Sequence, residues 1–205
     1  MKREKETEEK IFDAAKKVFQ RSGYAGARMQ DIADEADINK SMLHYYFRSK
    51  DKLFQAVLQE RMRKFFPKIQ QALGSDKPLD RKIEELVDTY YGIFKENPYL
   101  PSFVILEMNQ HPARFREMVR SNMIEIPDRF LDQIRNEVEK GNIRPVDPRD
   151  FLINTIALCV FPFMARPMIQ QLFGMEEGQF LSFISNRKEE LPAFILNTVR
   201  KDTAS

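Results

Sequence analysis

The chemistry open to this chain is set first by what it has few of. Its 205 residues include two histidines, His44 and His111, and one cysteine, Cys159. His111 precedes Pro112, and only Glu107, four residues earlier, could share a metal with it; a lone imidazole at a helix junction is a surface or capping group before it is a ligand. There is no Ser-centred elbow, no glycine-rich phosphate loop and no paired-cysteine motif, so no catalytic residue, metal or cofactor is expected. The chain instead interleaves basic, aromatic and short polar groups between residues 27 and 54: Arg28, Gln30, Lys40, Ser41, Met42, His44, Tyr45, Tyr46, Arg48 and Lys50. Cations and hydroxyls in that mixture suit phosphate clamping, and side chains on the first turn of a helix can reach base edges in a major groove.

Those groups need a scaffold, and the apolar spacing supplies one. Ile32, Ala33 and Ala36 form one stripe, Ile38 closes a turn, and Leu43 with Phe47 forms the facing stripe, the pattern of two short helices crossing steeply. Asn39 stands as N-cap of the second helix, which puts Lys40, Ser41 and Met42 on its first turn. Asp37 falls in the turn and is among the non-Gly residues that tolerate positive φ. Upstream, Ile11, Ala15, Val18 and Phe19 recur at helical spacing before Gly23, and downstream Ser49 caps a helix beginning KDKLFQAVL. Any compact helical hairpin has such stripes, so on spacing alone DNA binding and a plain hairpin stand level.

The stretch from about Lys10 to Leu58, with IFDAAKKVFQRSGY, then MQDIADEADINKSMLHYYF, then SKDKLF, resembles the N-terminal domain of TetR-family bacterial transcriptional regulators. The resemblance implies double-stranded operator DNA as partner, with Lys40, Ser41, Met42 and Tyr45 toward bases and Arg28, Gln30, His44, Tyr46 and Lys50 toward phosphates. Three positions depart from the family pattern. Ala27 replaces a Thr or Ser, Asp37 replaces a turn Gly, and His44 replaces a Tyr. They bear on affinity and operator sequence more than on fold.

Composition agrees with a regulator in a reducing compartment. A single cysteine excludes an intramolecular disulfide, and the charged start MKREKETEEK is followed by no apolar region, so it is no signal peptide and a cytoplasmic location is expected. The most apolar run, residues 151–169, contains Asn154, Thr155, Pro162, Arg166 and Pro167, which favours a buried helix over a membrane span. Net charge is +2, but residues 1–66 hold 15 Lys or Arg against 11 Asp or Glu. That surplus is also what an ordinary solvated surface shows.

The remainder reads as helices throughout, ending with one from Asp150 to about Phe173 and one from Asn186 to about Lys201, capped by Asn186 and Glu189. The expected fold is all-α: a three-helix DNA-binding domain, residues 1–48, then a larger helical ligand-binding and dimerisation domain, residues 49–205. Phe66, Tyr90, Phe94, Phe103, Met108, Phe115, Met118 and Phe130 are dense enough either to form an ordinary core or to line a pocket for an apolar or aromatic effector; the family resemblance favours the pocket. Ile156, Val160, Phe163, Phe194, Ile195 and Val199 make two helices too apolar for solvent, and the resemblance implies a homodimer interface there. The expected function is a ligand-responsive repressor. The competing expectation is a helical ligand-binding or interaction protein that has lost specific DNA binding.

Overall fold

The computed structural model describes residues 2–98, 100–121 and 125–201, and within these the side chains of all but residues 2–5, 20 and 103. The elements are α1 (Lys2–Gly26), α2 (Met29–Glu35), α3 (Lys40–Tyr46), α4 (Lys50–Gly74), α5 (Leu79–Glu96), α6 (Leu100–Gln110), α7 (Pro112–Ser121), α8 (Asp128–Glu139), α9 (Pro148–Met164), α10 (Arg166–Phe173) and α11 (Glu177–Asn197). The periodicity places most of these. Gly23 breaks α1 at φ 65° as a stop should, and Pro127 sits just ahead of α8, where its missing N–H costs nothing.

Two expectations fail for local reasons. The apolar run does not continue as one helix to Phe173: it breaks at Ala165, and α9 and α10 meet at a 70° bend. Pro167 lies in the first turn of α10, where proline is tolerated, and would have broken the ladder of an uninterrupted helix. The last helix begins at Glu177 and not at Asn186, with Gln179 accepting from the Glu176 backbone at 2.8 Å. Asn186 is an exposed mid-helix residue.

Two apolar cores meet inside α4. Ile11, Val18, Ile32, Ala33 and Leu43 pack with Leu53, Phe54 and Val57 from its first turns. From Leu58 onward α4 joins a second core with α5, α8, α9 and α11. One helix of roughly 37 Å, at 1.5 Å per residue, therefore belongs to both units. Its far end is held by Lys82, only 1% exposed, whose ammonium donates to the Leu73 carbonyl at 2.8 Å. A cation satisfying an orphan carbonyl at a helix C-terminus is favourable. Burial lowers the Lys82 pKa.

Candidate nucleic-acid interface and effector cavity

The turn between α2 and α3 explains how a Gly-less sequence makes this hairpin. The Ile38 N–H bonds the Ala33 carbonyl at 3.0 Å and the Asp37 N–H bonds the Asp34 carbonyl at 3.2 Å, with Asp37 at φ 52°. This is a Schellman closure with Asp in the left-handed position. Asn39 then caps α3, its side-chain oxygen accepting from the Met42 N–H at 2.7 Å. Ala27 is buried and gives α2 no cap; Arg28 is the N-cap residue, and Asp31 reaches back to its N–H at 3.3 Å.

With Leu43 buried, α3 presents Lys40, Ser41, Met42, His44 and Tyr45 to solvent. Tyr45 is 80% and Met42 41% exposed. Arg28 and Gln30 are exposed on α2, although Gln30 donates to Asp34 at 2.7 Å. Tyr46 is half-buried, its ring edge-on to Tyr45 at 5.5 Å.

Lys50 is a correction. Its ammonium does not stand free toward a phosphate but donates to the carbonyls of Tyr24 at 2.9 Å and Ala27 at 3.1 Å, with the Tyr24 ring at 4.5 Å. The cation neutralises the carbonyl end of α1 and ties it to α4; the Tyr24 hydroxyl donates to Asp51 beside it. Sequence spacing shows a lysine at a helix start, and only the crossing of α1 and α4 shows what it meets.

The second unit carries a cavity of about 440 Å³, open to solvent, between α4, α5, α6 and α9. Phe66, Tyr90 and Phe94 line it as expected, with Met62, Phe65, Val104, Ile156 and Val160 among the other walls. Phe65, Tyr90 and Phe94 form an aromatic floor, with Phe65–Tyr90 centroids at 5.2 Å and Tyr90–Phe94 at 5.6 Å. No charged side chain lines it; burial raises the Tyr90 pKa far above the usual phenol value, so the hydroxyl stays neutral. A concave, apolar site suits a drug-sized apolar ligand.

The remaining ligand candidates are elsewhere. Phe130 is fully buried in the core beside Lys82, and Met108 is exposed on α6. Phe115 and Met118 line a separate hollow of about 180 Å³ with Gln55, Glu107 and Arg114. The Phe103 side chain lies outside the described residues. The interface candidates divide similarly: Phe163, Ile195 and Val199 are buried in the chain's own core and offer nothing to a second copy, whereas Ile156 and Val160 face the cavity. Phe194 alone of the six is exposed, at 57%. The missed cavity residues Ile153, Ile156, Val160 and Met164 do recur at helical spacing along α9, but apolarity cannot say which neighbour a stripe faces. Among the described residues no group of three His, Cys, Asp or Glu could hold a metal, and no single helix is long and apolar enough to cross a membrane.

A helix-turn-helix with an exposed basic and aromatic recognition face, joined by one continuous helix to a domain with an apolar cavity, defines a ligand-responsive DNA-binding regulator. The family model described as "Bacterial regulatory proteins, tetR family" matches residues 11–57, and "Tetracyclin repressor-like, C-terminal domain" matches residues 80–179. The chain belongs to the TetR family. It is similar to the transcriptional repressor NicS of Pseudomonas putida, 25% identical over 88% of this chain and 89% of that protein. Over 56 residues, 27% of this chain and 29% of the other, it is 45% identical to the transcriptional repressor SCO4008 of Streptomyces coelicolor. The solved structure of a TetR/AcrR-family regulator from Thermobifida fusca has the same fold, with TM-score 0.63 and 19% identity over 90% of this chain and 96% of that one. Regulators of this family are DNA-binding proteins and not enzymes, and they act as dimers.

Proposed function

We propose that this regulator is a cytoplasmic repressor that occupies a palindromic operator as a homodimer and leaves it when a small, mainly apolar or aromatic effector enters the α4–α5–α6–α9 cavity. The observation that carries the reading is the dual membership of α4. Its first turns complete the core under the recognition helix, and Met62, Phe65 and Phe66 further along wall the cavity. An effector that binds better when α4 is displaced shifts the dimer toward a state whose recognition helices no longer match the groove spacing. On this reading residues 1–48 are the DNA-binding domain and 49–205 the ligand-binding and dimerisation domain, with the start of α4 serving both. Arg28, Gln30, His44 and Tyr46 position the phosphates, and Lys40, Ser41, Met42 and Tyr45 read bases.

Footprinting on the DNA flanking the protein's own gene tests this. The expected result is two protected half-sites about 34 Å apart or a multiple of that, with protection lost on adding an apolar effector. Protection without sequence preference would favour a helical ligand-binding protein that has lost specific DNA recognition.

A further inference from the structure

The walls of the α4–α5–α6–α9 cavity are kept free of charge by the helices that form them. α6 carries one charged residue, Glu107, and α9 carries two, Arg149 and Asp150, both in its first turn. None of the three lines the cavity. Glu107 is buried and paired with Arg114 of α7, and Arg149 is paired with Asp147. On α4 the cations near Met62 and Phe65 are held elsewhere: Arg61 meets Glu96 at 3.8 Å and Lys64 meets Glu60 at 2.7 Å. Arg63 and Lys68 are exposed and stand outside the lining. Among the described residues α5 contributes only Tyr90 and Phe94.

We propose that this cavity selects against charge, so that its ligand is an uncharged lipophile with no carboxylate, phosphate or ammonium on the part that enters. A charged group taken from water into these walls loses its hydration and finds no counter-ion. The ring faces of Phe65, Phe66, Tyr90 and Phe94 attract a cation, but that attraction is much weaker than the desolvation it would have to offset. A neutral aromatic or branched hydrocarbon skeleton carries no such penalty, and Met62 and Met164 of the lining adapt to its outline. Two groups beside the cavity register the same surroundings. Burial holds the Tyr90 phenol far above its usual pKa and pushes the thiol of Cys159, the residue before Val160 on α9, up to about 12. The inference rests on the effector reading above and adds the ionisation state of the ligand to it.

Competition against N-phenylnaphthylamine, an uncharged dye that brightens in apolar sites, tests this on the full chain, which has no tryptophan to interfere. Naphthylmethanol, naphthoate and naphthylmethylammonium, alike in their rings and different in charge, compete for the dye at neutral pH. The alcohol should displace it with an affinity at least about tenfold above that of either ion. Ile105 lines the cavity and is exposed, so a charge there is tolerated by the fold. Ile105→Lys supplies the missing counter-ion and should bring naphthoate to at least the affinity of the alcohol; Ile105→Glu should do the same for the ammonium. Leu172→Lys, exposed on α10 and outside the lining, should leave the order of the three unchanged. Val160→Phe, which fills the cavity, should weaken dye binding by about tenfold or more; if it does not fold, the two Ile105 variants locate the site by themselves. Equal affinities of the three competitors, or an order that neither Ile105 variant alters, would overturn the inference. So would a dye that fails to bind, or that binds folded Val160→Phe as tightly as the wild type. The expected order of competitors with operator affinity unchanged at saturating alcohol would leave the charge selectivity standing and count against operator release through this cavity.

Discussion

Lys50 offers a test in which two readings of one residue predict opposite results. Lys50→Met keeps the length of the aliphatic stem and removes the ammonium. If the ammonium's work is within the chain, the substitution abolishes two charge-assisted bonds to the Tyr24 and Ala27 carbonyls and the contact with the Tyr24 ring. Bonds to a charged group contribute about 1.5–3 kcal/mol each, and partial exposure puts these two at the low end, so the total is about 3 kcal/mol. For a chain of this length that lowers Tm by roughly 5–10 °C. Operator affinity, measured by fluorescence anisotropy well below the new Tm, should keep nearly the wild-type slope of log K against log salt concentration. If Lys50 instead neutralises a phosphate, Tm should not move and the slope should fall by about 0.9. An unchanged Tm with a slope reduced by that amount would refute the clamp and restore the phosphate contact.

Three further outcomes follow from the geometry. Asn39→Ala removes the cap of the recognition helix and should cost roughly 1 kcal/mol, with operator binding weakened and Asn39→Ser largely restoring it; equal stability of Ala and Asn chains in urea would show that the cap contributes nothing. Truncating the half-buried Phe66 should blunt the response to an apolar effector with operator affinity nearly intact, whereas Phe94→Ala, which deletes a buried ring between Tyr90 and Phe163, should also destabilise the fold by about 3–5 kcal/mol; a normal effector response in both would move the site elsewhere. Glu60 bonds Lys16 of α1 at 3.0 Å and Lys64 at 2.7 Å. Burial pushes its carboxyl pKa up, but the bonds to Lys64 and Lys16 outweigh burial and hold it below the usual carboxylate range. A carboxylate with a depressed folded-state pKa stabilises the fold above its unfolded pKa, about 4.3, and that contribution is lost as pH falls through the folded value. The urea midpoint should therefore fall below pH 4.3 more steeply in the wild type than in Glu60→Gln, and parallel curves would show that the carboxylate is not coupled to folding.

The N-terminal unit was legible because its determinants are local. Capping by Asn39 and Ser49, the Gly23 break and the left-handed Asp37 depend on a few consecutive residues, and local backbone chemistry is written in order along a chain. The second unit was legible as a set of helices but not as a set of faces. α9 is apolar nearly all round: Phe151, Leu152, Cys159 and Phe163 face the core while Ile153, Ile156, Val160 and Met164 face the cavity. A helix without a polar side gives periodicity nothing to orient. Phe163, expected at a dimer interface, is buried in the chain's own core for that reason, and Ile195 and Val199 of the C-terminal segment are buried there with it.

Residue types and spacing by themselves determined an all-helical chain, a helix-turn-helix with its caps and the family resemblance, because each rests on intervals of one to four residues. Only the tertiary structure decided which apolar side chains line a hollow and which fill the core, and what Lys50 and Lys82 bond. Those outcomes depend on where helices cross, and a crossing is fixed by the packing of residues far apart in the chain, whose separation no local period records.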